Sequence, residues 1–267
     1  MTISPFRYPG AKNKILPILM DYIDNILINQ DRFIDLFVGG GSVLLEVARK
    51  YPNINLYAND KDYWISSFWK IVAGDDSKKL SELLSMVEVV PTLEQFYKLR
   101  ETTSIDDVDC AYRAIFFNRT TFSGIFYSGP IGGKEQKSKY TIDCRYNSKK
   151  LQEKILNCHK LLNGRTKVSN LDFSQYKQFI NTNYPIYADP PYYIKGHTLY
   201  IQYMKAEEHE NLSNLFRLKN NWVLSYDDCP EVRNLYKNNT IIDLSARYCI
   251  NGKKDNWESK NELIILP

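Results

Sequence analysis

The 267-residue chain is poor in the residues that build disulfide frameworks and metal sites. It has five cysteines (Cys110, Cys144, Cys158, Cys229 and Cys249), an odd number with no C-x-x-C pair, and only three histidines. His159, His197 and His209 stand alone in polar contexts, so they read as surface or packing residues, and no metal is expected. A reducing cytoplasm fits this cysteine usage. No apolar run reaches the length of a membrane span, which excludes a membrane role. The start, Met1-Thr2-Ile3-Ser4-Pro5, has neither a basic leader nor an apolar stretch, so no export signal is read there. Internal repeats and low-complexity tracts are also lacking, which excludes repeat architectures.

What is present suits a folded enzyme-sized unit. Hydrophobic residues make up 43% and charged residues 25%, enough apolar material for a large core. The net charge of +4 is unevenly spread: residues 113–154 carry nine basic and three acidic side chains, residues 73–109 four basic and nine acidic. A phosphate-binding face would have this look, and so would a solvated lysine-rich loop.

Apolar spacing predicts a helix over 13–28, a buried strand over 32–37, a helix over 43–50 and a strand over 55–59. From about 63 to 160 the pattern is mostly helical and then irregular, most so over 122–142, where five glycines and prolines alternate with aromatics. Strands are expected again at 167–169, 186–188, 222–225, 240–242 and 262–266, with a helix over 207–218. Asp227 and Asp228 are read as caps of a helix starting near Pro230. The simplest architecture is an α/β, Rossmann-like sheet domain formed by 1–61 and 166–267, split by an inserted, mostly helical domain at 62–165.

Two features carry chemistry. The first is the turn Val38-Gly39-Gly40-Gly41-Ser42 between a strand and a helix, where backbone can approach a ligand closely and helix amides face it. Asp60 ends the next strand nineteen residues after Gly41, the spacing at which an acid meets ribose hydroxyls. The turn is not G-x-G-x-x-G and no P-loop lysine follows, which argues against NAD and ATP. A looser turn suits S-adenosylmethionine, which has no pyrophosphate to cradle. Asp35, just before the turn, suits either an anchor for the methionine amino group or a strand-end acid holding the loop.

The second is Asp189-Pro190-Pro191-Tyr192 at the end of an apolar strand. Alone, this tetrapeptide reads equally as a turn. With the glycine turn it reads as a catalytic motif. The prolines contribute no amide donors, so their carbonyls remain acceptors. Adenine's amino nitrogen is a poor nucleophile because its lone pair is delocalised into the ring. The Asp189 carboxylate and the Pro190 carbonyl would each take one amino hydrogen, and Tyr192 would offer a stacking face to a base extruded from the duplex.

These residues resemble the Dam-like family of adenine-N6 DNA methyltransferases, with cofactor motifs first and the recognition segment before the catalytic tetrapeptide. Phe6-Arg7-Tyr8-Pro9-Gly10-Ala11-Lys12 resembles the family's N-terminal cofactor motif, which implies cofactor contacts at Tyr8 and Lys12. Asp35 to Ser42 resembles its glycine motif, and Asn59-Asp60 its ribose-binding acid. Asn170-Leu171-Asp172-Phe173 resembles the segment beside the cofactor's adenine, and Asp189 also lies against the cofactor in the family. The cofactor set is thus Tyr8, Lys12, Asp35, Gly39, Gly41, Asp60, Asp172, Phe173 and Asp189, and the catalytic set Asp189, Pro190 and Tyr192. Phe117 to Gly124 resembles a family stretch with DNA contacts in a β-hairpin region. GATC-reading members have Tyr-Asn-Gly where this chain has Phe122-Ser123-Gly124, and Pro130 to Tyr140 is closer to restriction-modification relatives.

In that basic segment Lys134, Lys137, Lys139 and Arg145 suit phosphates, while Arg119 and Gln136 have planar groups that suit base edges. Phe122, with Ser123 beside it, and Phe126 and Tyr127 would stack or wedge where the base leaves; such aromatics equally form subdomain cores. Arg247-Tyr248 and Gly252-Lys253-Lys254 form a second candidate phosphate contact. The expected substrate is double-stranded DNA, with a cognate restriction endonuclease as a candidate partner, a monomer or weak dimer, and a bacterial or phage origin. Methyltransferases acting on cytosine usually have Ser, and those acting on glutamine Asn, at the position of Asp189, so Asp favours adenine. RNA adenine, and a DNA-binding regulator without activity, are the rival readings.

Overall fold

A computed structural model describes residues 3–7, 12, 15–176, 183–194, 196, 203–249 and 257–267, the stretches 245–249 and 257–261 by backbone alone. Tyr8, His197 and the Gly252-Lys253-Lys254 segment fall outside it, as do the side chains of Arg247 and Tyr248.

Seven strands form one sheet: β1 (Arg32–Asp35), β2 (Asn55–Asn59), β3 (Thr166–Ser169), β4 (Ile186–Ala188), β5 (Trp222–Asp227), β6 (Thr240–Cys249) and β7 (Trp257–Leu266). Their order is β3-β2-β1-β4-β5-β7-β6. The first five run parallel, and β7 enters antiparallel between β5 and β6. Parallel strands covered on both faces need apolar side chains on both, which is why Phe33-Ile34 and Ile186-Tyr187-Ala188 are buried without alternation. The chain leaves β1 to one side for β2 and returns on the other side as β4. That reversal makes the carboxyl ends of β1 and β4 the topological switch point, the place where open α/β sheets bind ligands.

Every strand read from apolar runs is present. The last two are much longer than 240–242 and 262–266, because residues 243–249 pair with 257–263 through backbone hydrogen bonds that need no apolar run.

The helices are α1 (Leu16–Ile26), α2 (Ser42–Lys50), α3 (Tyr63–Ala73), α4 (Ser77–Glu88), α5 (Leu93–Glu101), α6 (Asp107–Thr120), α7 (Ser148–Leu162), α8 (Ala206–Phe216) and α9 (Pro230–Leu235). Side-chain caps start α3 to α7: Asp62, Asp76, Thr92, Asp106 and Asn147 each accept from amides of the first turn. Among the described residues no helix is long and apolar enough to cross a membrane.

Two buried clusters flank the sheet. One joins α1, α2 and one face of β1 and β2 to α3, α6 and α7, with Phe68, Trp69, Phe116, Phe117 and Ile155 fully enclosed. The other packs α8 and α9 against β4, β5 and β7 around Trp222 and Tyr226. The helices of 62–165 therefore share a core with the sheet, and α3 in particular lies against the glycine turn.

Candidate active site

The carboxyl ends of three parallel strands bring three acids together, and a fourth joins them from the middle of β7. Asp35 closes β1, Asp60 follows β2, Asp189 follows β4, and Glu262 sits on β7 opposite Asp227 of β5. Lys12, 2% exposed, lies among them. Its ammonium is 2.9 Å from Asp189 Oδ1 and 2.9 Å from Glu262 Oε1. It also lies 3.3 Å from the Tyr192 hydroxyl and 5.1 Å from that ring's centre. The Tyr192 hydroxyl donates to Glu262 Oε1 at 2.5 Å. Ser225 Oγ donates to Asp189 Oδ1 at 3.0 Å and shares a 2.7 Å hydrogen bond with the Tyr187 hydroxyl. Asp189 Oδ1 is thus occupied twice. Among the described residues, Oδ2 and the Pro190 carbonyl accept no hydrogen bond.

Burial dominates the electrostatics. It pushes the Asp189 carboxyl up to about 6 despite Lys12, with Glu262 pushing the same way. Lys12 is itself buried, yet the carboxylates around it raise its pKa well above the usual lysine value. Burial raises Asp35 well above the usual carboxylate range, and the neighbouring Asp189 and Asp60 add to this. Asp60 is pushed up to about 7 by burial and Asp62. The backbone amides of Leu44, in the first turn of α2, and of Phe37 oppose the rise at Asp35, while Asp35 Oδ1 is buried without a partner among the described residues. Asp60 accepts the Gly39 amide at 2.8 Å and the Asp62 amide at 2.9 Å.

The glycine turn is shaped from behind. Gly41 has φ +70°, and a Cβ there would lie 2.3 Å from Trp69 Cζ2. The Trp69 indole donates to the Gly39 carbonyl at 2.9 Å. Glycine is demanded here by a left-handed backbone and a tryptophan from α3. Asn59 fastens the same region: its amide donates to the Leu36 and Leu171 carbonyls, and its Oδ1 accepts from Ser169 and the Leu171 amide. Phe173 is buried, its ring 6.0 Å from Phe37. Asp172 pairs with Lys61 at 2.8 Å; burial opposes its ionisation, but Lys61 and Ser174 prevail and lower its pKa.

Orphan acceptors and crowded carboxylates want positive charge or hydroxyl donors. A sulfonium cofactor with an ammonium group and two ribose hydroxyls supplies both, so these residues fit S-adenosylmethionine.

The basic segment is organised by residues that the sequence did not single out. Residues 117–120 finish α6, and beyond a single bridge, Thr121 to Pro130, no ladder forms around the 3₁₀ turn Phe122–Gly124. The β-hairpin implied by resemblance is therefore a helix end and a looped segment, because Thr121 and Pro130 alone pair. Asn118 accepts the Arg7 amide at 2.7 Å and donates to the Arg7 and Gly124 carbonyls, stapling the N-terminal motif to this loop. Arg100 donates to the Phe126 and Ser128 carbonyls.

Arg119 donates to the Pro5 carbonyl, and burial, with Arg7 nearby, lowers its pKa to about 10. Gln136 donates to the Ile131 and Gly133 carbonyls and accepts the Ile142 amide. In this conformation neither presents its full set of donors and acceptors to a base edge. Lys134, Lys137, Lys139, Arg145 and Ser123 are exposed, as are Phe122 and Tyr127, whereas Phe126 packs against Trp64. Ser123 holds φ 56°.

Asp227 and Asp228 do not cap α9, whose first turn has no side-chain cap. Asp227 instead accepts the Tyr193 and Ile194 amides, fixing the chain just past Tyr192, and Asp228 pairs with Arg233. His209 is buried against Tyr193 and Tyr226, an ordinary packing role. Glu262, Ser225 and Tyr187 were missed. A lone acid leading Leu263-Ile264-Ile265-Leu266, and a serine closing Trp222-Val223-Leu224-Ser225, were the available signals.

A sheet of this order, with acids at the ends of β1, β2 and β4, defines a Rossmann-like methyltransferase. Residues 8–250 match the D12 class N6 adenine-specific DNA methyltransferases, and the chain belongs to that family. Its substrate is DNA, its target the adenine N6 amine, and its methyl donor S-adenosylmethionine. The chain is similar to the Type II methyltransferase M.MjaIII of Methanocaldococcus jannaschii, with 25% identity over 209 residues, 72% of this chain and 70% of that one. It is also similar to the Type II methyltransferase M1.LlaDCHI of Lactococcus lactis subsp. cremoris, with 23% identity over 287 residues, 100% of this chain and 95% of that one.

Proposed function

We propose that the chain methylates an adenine within a specific duplex DNA site as the modification half of a restriction-modification system. A cognate endonuclease would cut the same site, as the type II naming of the relatives suggests. It works as a monomer or weak dimer in the cytoplasm of a bacterial or phage-infected cell. The observation that carries the reading is Asp189, with Oδ1 held by Lys12 and Ser225 while, among the described residues, Oδ2 and the carbonyl of the next residue, Pro190, accept no hydrogen bond.

Asp189 Oδ2 and the Pro190 carbonyl each accept one hydrogen of the extruded amine, drawing the nitrogen lone pair out of conjugation. Holding that nitrogen in line supplies much of the rate by positioning. S-adenosylmethionine supplies, when bound, an electrophilic methyl group on sulfur. Asp35 Oδ1 would hold its ammonium and Asp60 its ribose hydroxyls. Gly39 and Gly41 would border it, as would Asp172 and Phe173 beside the adenine, and Tyr8 and Lys12. Tyr192 lines the base pocket, its hydroxyl tied to Glu262.

Residues 62–165 act as the target-recognition domain beside the catalytic domain of 1–61 and 166–267. Lys134, Lys137, Lys139 and Arg145 bind phosphates, and Phe122 and Ser123 face the departing base. Arg119 and Gln136 shape the loop and would reach bases only if DNA displaces their present partners. Asp189→Ala tests the centre: methyl transfer to duplex DNA is expected to vanish while DNA binding persists. Methylation at the unmodified rate would reject the assignment.

A further inference from the structure

We propose that Glu262 is a positioning residue for methyl transfer, drawing the Lys12 ammonium and the Tyr192 hydroxyl onto one carboxylate oxygen and so setting where the ammonium meets Asp189. The proposal rests on reading Asp189 as the acceptor of the substrate amine.

Glu262 lies on β7, three strands along the sheet from β1 and outside the motifs read from the sequence. It is 2% exposed, and its Oε1 takes both the 2.9 Å ion pair with Lys12 and the 2.5 Å hydrogen bond from Tyr192. Its Oε2 is buried with no partner among the described residues. A carboxylate in such a place costs stability compared with an apolar residue in the same strand, so its contribution to β7 packing does not explain it. Its geometric effect does. A lysine ammonium is a point charge on a flexible stem, free by itself to shift along the Asp189 carboxylate. A second carboxylate, 2.9 Å from the same ammonium, limits that freedom. The same oxygen fixes the Tyr192 ring through its hydroxyl, so one side chain sets both the acceptor and the wall of the base pocket.

Among the described residues, the titratable groups that act on Asp189 are Lys12, Asp35, Tyr187, Tyr226 and Glu262, with Tyr192 held on Glu262. Of these, Glu262 raises the Asp189 carboxyl and Lys12 lowers it. Steady-state methylation by Glu262→Gln and Glu262→Asp, measured against pH, tests the proposal. For Glu262→Gln, kcat should fall about 10- to 100-fold, the range for second-layer partners, with KM for DNA and cofactor within about threefold. The acid limb of its kcat profile should move to lower pH, since the charge that raised Asp189 is gone. Glu262→Asp keeps the charge and should leave the limb in place while losing part of kcat. A Glu262→Gln protein with unmodified kcat, or one impaired only in KM or melting temperature with an unmoved limb, overturns the proposal. Should Glu262→Gln fail to fold, the kcat of Glu262→Asp decides: lowered at constant KM it supports the role, unchanged it rejects it. Asp189→Ala run alongside separates the two readings. If Asp189→Ala still methylates, the amine-acceptor reading fails; if it is inactive while Glu262→Gln is normal, only the role of Glu262 fails.

Discussion

The pocket and the basic loop treat lysine in opposite ways. Lys12 is enclosed and shared between two carboxylates, whereas Lys134, Lys137 and Lys139 are exposed and, among the described residues, only Lys137 meets an acid, Glu135. In the pocket each ion is desolvated, so a missing partner is costly and position is exact to fractions of an ångström. On the loop, solvent and salt screen each charge, so position matters little and the number of charges matters most. Catalysis needs the first regime and tracking along a phosphate backbone the second.

The sharpest way to break this contrast is Lys12→Met. It leaves Asp189 and Glu262 as uncompensated buried acids. Denaturant titration should show a loss of about 3–5 kcal/mol, with methylation lost in the fraction that remains folded. A stability loss no larger than that of a surface lysine would erase the distinction. Gly41→Ala should come next: the added Cβ meets Trp69 in a left-handed backbone, costing about 1–3 kcal/mol with weaker cofactor binding by calorimetry.

The loop should respond differently. Replacing Lys134, Lys137 and Lys139 together by Ala should reduce the slope of log affinity for DNA against log salt by about 2–3, with the melting temperature unaltered. An unchanged slope would remove these lysines from the phosphate contacts.

The pocket, unlike the loop, should also respond to pH. Asp189 and Asp60 have folded-state values raised to about 6 and about 7, above the ordinary 3.8. The folded protein therefore binds more protons, and its stability without cofactor should decline as pH rises from about 4 to about 7. Cofactor affinity should move the other way, strengthening as these carboxyls ionise. Calorimetry between pH 5 and 8 checks the sign, and a flat profile would contradict it.

Much of the frame was legible. Phe33-Ile34 and Ile186-Tyr187-Ala188 announce buried parallel strands because both faces must be apolar, and Asp60 and Asp189 stand out as acids at their ends. The caps assigned to Asp227 and Asp228 failed because the amides of Tyr193 and Ile194, thirty-four and thirty-three residues away, compete for the Asp227 carboxylate. Arg119 and Gln136 look like base readers by chemistry, yet nearby carbonyls of Pro5, Ile131 and Gly133 engage them first.

The sequence by itself determined the fold class, the glycine turn and the tetrapeptide, because periodicity, backbone restriction and acceptor chemistry are local properties. Only the tertiary structure decided that Lys12 and Glu262, 250 residues apart, share one charge centre with Asp189, and that Trp69 is what Gly41 accommodates. Those pairings arise from the order in which strands enter the sheet, and burial then turns proximity into strong coupling.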